Sequence, residues 1–322
     1  MKEISEYQEL IIEQIELLEQ NKSNLSLYDP VSYILSLGGK RIRPVLTLIA
    51  TDLFGGELKD SFKSALGIEM FHNFTLLHDD IMDDAPLRRG MQTVHEKWNI
   101  NTAILSGDVM FVQAFVMVTS CKTKYLRDVL DLFNVTAIEV CEGQHLDMEF
   151  ETRDDVSIPE YIEMIKLKTS VLIGCALQLG AILADASKEE QQLIYDFGLN
   201  LGIAFQIQDD ILDVYGDASV FGKQVGGDIL ANKKTYLLLK AFENANEQQS
   251  IELNNWMKND STTEKVEAVT TLFTNLKVKE QAEKMMWDYY DKAIEALSKL
   301  NLTEEKYNYL KDFATNIMER VK

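Results

Sequence analysis

An all-α fold is predicted by two features of this chain, its scarce prolines and the spacing of its apolar residues. Only four prolines occur in 322 residues, Pro30, Pro44, Pro86 and Pro159, and proline is the residue that helix interiors tolerate least. Between them, most segments place apolar residues three and four positions apart rather than alternating them, which lines one side of a helix. Apolar residues make up 46% of the composition, enough for a large core. No linker interrupts the chain, so residues 1–322 read as a single all-α domain.

Each element follows from the same pattern. The opening MKEISEYQELIIEQIELLEQ is acidic and amphipathic, with Ile11, Ile12, Ile15 and Leu18 in one stripe; a signal peptide would instead begin with positive charge ahead of an apolar run. Gly38-Gly39 and Gly55-Gly56 mark loops, and the helix GIEMFHNFTLLHDD then runs into a group of acids. Further loops are expected at Asp84–Gly90, Arg153-Asp154-Asp155 and Gly226-Gly227. Leu199, Ile203, Ile207 and Ile211 form a stripe that leads into a second acidic group. Beyond about Asn244 charge increases, and Trp256, Trp287, Tyr289 and Tyr290 are expected to anchor peripheral helices of the same bundle, a separate C-terminal domain being the alternative.

Composition narrows the function. Lys and Arg number 32 against 52 Asp and Glu, a net charge of −20, which argues against nucleic acid as a partner. Cys121, Cys141 and Cys175 lack CxxC spacing; buried reduced thiols and a cytoplasmic location are expected rather than structural zinc. No run approaches the roughly 20 uninterrupted apolar residues of a membrane span.

The chemistry is announced by DDIMD at Asp79–Asp83 and DDILD at Asp209–Asp213. At about 3.6 residues per turn, Asp79 and Asp83 share a helix face, as do Asp209 and Asp213. Adjacent like charges on a poor helix former are unfavourable unless a cation lies between them, and hard divalent ions such as Mg2+ suit carboxylate oxygens. If two such helices face each other, both motifs can line one cavity. Basic residues stand close by in sequence. Arg88 and Arg89 follow the first motif in a Pro- and Gly-flanked loop, where they fit phosphate oxygens or else pair with Asp83 and Asp84. GGKRIRP places Lys40, Arg41 and Arg43 beside glycines as an anion pocket or a solvated helix start, and Lys166, Lys168, Lys223, Lys233 and Lys234 lie near expected turns. His78 reads as a satisfied helix histidine, whereas His72 lies nearly two turns before Asp79.

Together, GGKRIRP, DDIMD with Arg88-Arg89, GQHLD at Gly143–Asp147, KTS at Lys168–Ser170, FQIQDDILD at Phe205–Asp213 and GKQVGGD at Gly222–Asp228 resemble, in order and spacing, the trans-type isoprenyl diphosphate synthases. The resemblance covers nearly the whole chain. It implies an isoprenoid synthase helical bundle around a deep central cavity, a homodimer, and Mg2+-dependent condensation of isopentenyl diphosphate with an allylic diphosphate. By the same resemblance Lys40, Arg43, His72 and Arg89 match the isopentenyl diphosphate site, while Arg88, Lys168, Thr169, Gln206, Lys223 and Lys233 match residues around the allylic diphosphate. Asp79, Asp83 and Asp209 match the principal ligands of about three Mg2+ ions. Asp80, Asp84, Asp210 and Asp213 are supporting candidates, and Gln144 and Asp147 line another wall.

Side chains on the helix before Asp79 face the growing hydrocarbon in this reading. Phe74 lies roughly 7–8 Å and Phe71 about 12 Å deeper than Asp79, while Thr75 is small and leaves the shallowest level open. Phe74 with an uninserted DDIMD favours geranylgeranyl diphosphate as product over farnesyl or longer chains; simple core packing of Phe71 and Phe74, or a floor that includes Met110 and Phe111, stays open. A class I terpene cyclase, a non-catalytic regulatory subunit and a helical phosphohydrolase are the competing readings. The intact second motif and the basic residues disfavour them.

Overall fold

The computed structural model describes residues 1–21, 23–216, 226–259 and 263–319. Helices α1 (Ile4–Gln20), α2 (Asp29–Ser36), α3 (Ile42–Leu53), α4 (Leu58–Met82), α5 (Val94–Lys97), α6 (Ile100–Val118) and α7 (Leu126–Thr152) come first. They are followed by α8 (Ile158–Ile165), α9 (Val171–Leu183), α10 (Lys188–Tyr215), α11 (Gly227–Leu230) and α12 (Tyr236–Asn244). Helices α13 (Glu247–Met257), α14 (Thr263–Asn275), α15 (Val278–Ser298) and α16 (Glu304–Met318) complete the chain. Among the described residues the only strands are a two-residue hairpin, Leu87–Arg88 against Met91–Gln92, with Leu87 opposite Gln92. The all-α expectation holds, as do the loops at Gly38-Gly39, Gly55-Gly56, Asp84–Gly90 and Arg153-Asp154-Asp155, whereas at Gly226-Gly227 the second glycine already opens α11.

Local chemistry sets several boundaries. Ser157 and Glu160 form a reciprocal cap at the start of α8, with Pro159 in its first turn, where a missing N–H costs nothing. Asn99 caps α6 and Thr303 caps α16 through their side chains. Between α8 and α9 the helix does not stop. Lys166–Ser170 forms a π-helical turn within a continuous run, so Lys166 and Lys168 lie in a widened helix and not at the turn that the sequence suggests.

The chain divides into two compact units, residues 1–136 with 175–195, and residues 137–174 with 196–322. In the first, α4 packs on α3 and α6, and Tyr7, Ile11, Ile49, Phe71 and Phe133 are fully buried. Helix α4 buries Ala65, Leu66, Ile68, Glu69, Met70 and Asn73 around its circumference, the mark of a helix enclosed on all sides rather than a surface helix. In the second, α15 packs on α12, α14 and α16, with Leu253, Phe273, Leu297 and Leu310 in the core. Residues after Asn244 therefore group with the helix segments before them and form no separate C-terminal unit. Ile203, Ile207 and Ile211 are buried as their stripe predicts.

Other expectations need correction. Ile12 is exposed while Tyr7 is buried, and Trp287 is 41% exposed with its ring against Tyr290 at 5.1 Å. Only Cys175 is buried; Cys121 is half-buried and Cys141 exposed, and none forms a disulfide. Two helical stretches, Ile100–Val118 and Ile158–Leu183, are long and apolar enough by length and mean hydropathy to cross a membrane, the second being mostly buried in the protein. Polar residues such as Asp108 and Lys168 interrupt both.

The π-helical turn depends on a glycine. A Cβ on Gly143 of α7 would lie 2.2 Å from the Lys168 backbone nitrogen and 2.6 Å from its Cα, backbone atoms that cannot rotate away. Gly143→Ala is therefore expected to destabilise the protein by about 1–3 kcal/mol through overpacking, despite a helix-propensity gain of up to ~1 kcal/mol. Thermal unfolding checks this, and an unchanged or higher Tm would show that α7 does not approach the turn so closely.

Candidate active site

Both aspartate motifs occupy the C-terminal ends of long helices. Helix α4 ends at Met82 with Asp83 as its cap, α10 ends at Tyr215, and neither has a basic residue in its last turn. The carbonyl end of a helix is already its negative end. Carboxylates there are unfavourable until a cation joins them, so the all-oxygen donor set of Asp79 and Asp83, and that of Asp209, fits a hard divalent ion.

The second aspartate of each motif braces its neighbours. Both carboxylate oxygens of Asp80 accept the Arg88 Nε–H at 2.8 Å, and Arg88 Nη2 lies 2.6 Å from Asp80 and 3.7 Å from Asp79. Burial raises the Asp80 carboxyl above its usual range even though the Arg88 hydrogen bond works the other way. Arg88 thus pairs with Asp80 and Asp79, and the Asp83 charge also acts on it. In the second unit, the Tyr161 hydroxyl donates to Asp210 at 2.5 Å. Burial, reinforced by Asp228, pushes the Asp210 carboxyl well up, opposed by the Tyr161 bond. Asp213 accepts the Asp228 backbone N–H at 2.9 Å, and its carbonyl accepts that of Gly226 at 2.6 Å. Asp80, Asp210 and Asp213 thus each meet a partner from the protein itself, Arg88, Tyr161 and the Asp228 backbone.

In the first unit the three cations of GGKRIRP separate. Arg41, in a left-handed conformation at φ 49°, is buried and donates to Glu69 at 2.5 Å and to the Leu35 carbonyl, while Asn73 donates to Glu69 at 3.0 Å. It is a core ion pair. Arg43 instead approaches His72, Nη1 to Nε2 at 3.2 Å, and its Nε is buried without a partner among the described residues. Burial lowers the His72 imidazole well below its usual range, with Arg43 and Arg89 adding to the effect. A neutral His72 accepts from Arg43, leaving an unsatisfied guanidinium donor that suits an anion. Arg89 donates through Nη1 to the Gly38 carbonyl, and a Cβ on Gly39 would meet its guanidinium at 2.8 Å. This close approach explains the glycine pair and brings Arg89 to the loop that carries the exposed Lys40.

The second unit assembles GQHLD and KTS. Lys168 Nζ donates to Asp147 at 2.6 Å, and Gln144 Nε2 is buried without a partner among the described residues. Thr169 and Gln206 are half-buried, and Lys233, exposed, lies 3.9 Å from Asp228. Lys223 lies outside the described residues. Sequence reasoning missed Glu69, whose one visible signal was a lone acid in an apolar helical run, and Tyr161, for which the sequence held no signal.

Below the first motif, Phe71 is fully buried in a cluster of rings, 5.6 Å from Phe74, 6.0 Å from Phe111 and 5.3 Å from Phe133. With no accessible surface, Phe71 lines no space large enough for water. Phe74 is half-buried, 5.2 Å from Phe111 and 4.8 Å from His78. Thr75 donates to the His72 carbonyl at 2.8 Å, and His78 pairs with the Ile104 carbonyl at 3.2 Å, the satisfied helix histidine that was expected.

His72 makes a pH signature. Below its unfolded value of about 6.5 the unfolded chain takes up a proton that the folded chain resists, so stability falls as pH drops through and below that value. The slope approaches ~1.4 kcal/mol per pH unit for one proton. Urea unfolding of the parent and of His72→Asn at about pH 7.5 and pH 5.5 should show a shallower loss in the variant. Equal losses would mean that His72 protonates in the folded protein.

Residues 24–275 match the family model for polyprenyl synthetase. A geranylgeranyl pyrophosphate synthase from Geoglobus acetivorans is 36% identical over 320 residues, covering 98% of each chain. A crystal structure of a geranylgeranyl pyrophosphate synthase superposes with a TM-score of 0.94 at 46% identity over all of both chains. Another, the Corynebacterium glutamicum geranylgeranyl pyrophosphate synthase complexed with isoprenyl diphosphate and magnesium, gives 0.87 at 26% identity, covering 98% of each chain. The chain thus belongs to the polyprenyl synthetase family of trans-isoprenyl diphosphate synthases and is a trans-prenyltransferase with the all-α isoprenoid synthase fold.

Proposed function

We propose that this enzyme joins isopentenyl diphosphate to an allylic diphosphate and that geranylgeranyl diphosphate is its product. The observation that carries the reading is the placement of both aspartate motifs at helix ends that lack any basic residue in the last turn. The Corynebacterium relative, complexed with isoprenyl diphosphate and magnesium, supports Mg2+ as the ion, with Asp79, Asp83 and Asp209 as ligands of about three ions. When bound, Mg2+ supplies Lewis-acid neutralisation of charge on a diphosphate.

The protein's own groups do the rest. Lys40, Arg43 and Arg89 hold the isopentenyl diphosphate, and neutral His72 keeps Arg43 aimed at it. Arg88, steadied by Asp80, takes the allylic diphosphate together with Lys168, which Asp147 holds, and with Lys223 and Lys233. The allylic C–O bond breaks, and its electrons leave with the diphosphate. The isopentenyl double bond then attacks the allylic carbon, and a proton is lost to the released diphosphate to restore an alkene. Thr169 and Gln206 offer polar oxygen to the cation, while apolar helix faces exclude water. No side-chain nucleophile is required.

Phe74 sets the product length in this reading. It is half-buried, whereas Phe71 is packed within the ring cluster. We also propose that one domain covers the chain, because the family match at residues 24–275 runs through both units, and that three cysteines without CxxC spacing, Cys121, Cys141 and Cys175, suit a cytoplasmic setting. A homodimer is supported by α6, where Leu105 is 56%, Val112 58% and Val116 60% exposed; an apolar face of this kind marks an interface.

Purified protein incubated with Mg2+, isopentenyl diphosphate and dimethylallyl, geranyl or farnesyl diphosphate should yield geranylgeranyl diphosphate, and Phe74→Ala should shift the product to longer chains. No elongation from any primer would leave a non-catalytic subunit as the reading; an unchanged product with Phe74→Ala would remove that ring as the floor. Sedimentation should give a dimer that Val112→Glu with Val116→Glu converts to monomer. A monomeric parent would defeat the homodimer.

A further inference from the structure

Beyond DDIMD and DDILD, one group of metal-ligating atoms joins Asp84, a supporting candidate by resemblance, to His95 and Glu96, which the sequence did not single out. A carboxylate oxygen of Asp84, a ring nitrogen of His95 and a carboxylate oxygen of Glu96 are all within 4.8 Å of one another. The backbone holds them there. Thr93 Oγ1 donates to the Ala85 carbonyl at 2.7 Å and the Thr93 N–H to that of Pro86 at 3.2 Å, closing the loop that contains the Leu87–Gln92 hairpin. Asp84 sits before this closure; His95 and Glu96 follow it on α5.

Two exposed carboxylates would carry no argument by themselves. His95 supplies the independent observation. Its side chain is 4% exposed, neither ring nitrogen has a hydrogen-bond partner among the described residues, and Nε2 stands 3.9 Å from Glu96 Oε1, beyond hydrogen-bond reach. A neutral imidazole carries one donor and one acceptor, and buried polar groups left without partners call for an ion or a water.

We propose that Asp84, His95 and Glu96 form a second metal site, for a borderline divalent transition ion of the Zn2+ or Co2+ class. The imidazole nitrogen decides the class, because it suits these ions whereas Mg2+ is held by oxygen. Metal–ligand bonds of about 2.0–2.2 Å put two ligands of one ion roughly 3.5 Å apart, and small rotations of the exposed carboxylates close the remaining distance. With three protein ligands, water completes the coordination. The ion would tie the loop bearing Arg88 and Arg89 to α5. This inference does not depend on the prenyl-transfer reading.

The test is metal binding by the full-length protein in excess Mg2+, using Zn2+ in calorimetry and Co2+ in visible absorption. One tight equivalent per chain is expected, with a Co2+ spectrum that shows nitrogen ligation. His95→Ala should abolish it, and Glu96→Gln, at an exposed position that leaves folding intact, should weaken it about tenfold or more. Asp79→Asn with Asp83→Asn should leave it in place. Zn2+ uptake that Mg2+ displaces, that Glu96→Gln does not alter, or that the Asp79→Asn, Asp83→Asn protein loses would overturn the proposal.

Discussion

Negative charge at the carbonyl ends of two helices is the constraint around which this protein is arranged. Helices α4 and α10 each finish on a run of aspartates with no basic residue in the last turn, where the helix dipole adds to the repulsion. The fold answers this internally only in part. Arg88 engages Asp80, Tyr161 engages Asp210, and the backbone of Asp228 engages Asp213. Arg88 also reaches Asp79 at 3.7 Å.

Tertiary packing likewise sends the cations of GGKRIRP to different partners. Arg41 and Arg43 are two residues apart, yet the left-handed backbone at Arg41 and the start of α3 send them to different surroundings. Arg41 meets Glu69 in the core, where removing either partner would strand a buried charge. Arg43 meets a neutral imidazole and keeps a buried donor unsatisfied. One residue type meets a carboxylate and an imidazole at positions two apart.

The π-helical turn does comparable work in the second unit. Five residues from Lys166 to Ser170 widen the helix, and Gly143 lets α7 approach that turn at backbone distance. Lys168 then meets Asp147 one turn along from Gly143 on α7. Two motifs far apart in the chain, GQHLD and KTS, become one local structure because glycine has no side chain at the point of contact.

The sequence by itself determined the helical class, the loops, the aspartate motifs with their need for a cation, and the family, since periodicity, turn residues and ordered motifs are local properties of the chain. What only the tertiary structure decided is which partner each member of a charged cluster meets. Asp80 and Asp79 are neighbours of identical chemistry, and burial against Arg88 distinguishes them; nothing in DDIMD does. Phe71 and Phe74 likewise look equivalent along α4, but Phe133, distant in sequence, encloses the first. His95 passed as an ordinary residue until folding left both its ring nitrogens buried beside Asp84 and Glu96. Desolvation and partner choice are set by residues distant in the chain, which is why spacing reveals a motif but not the division of labour within it.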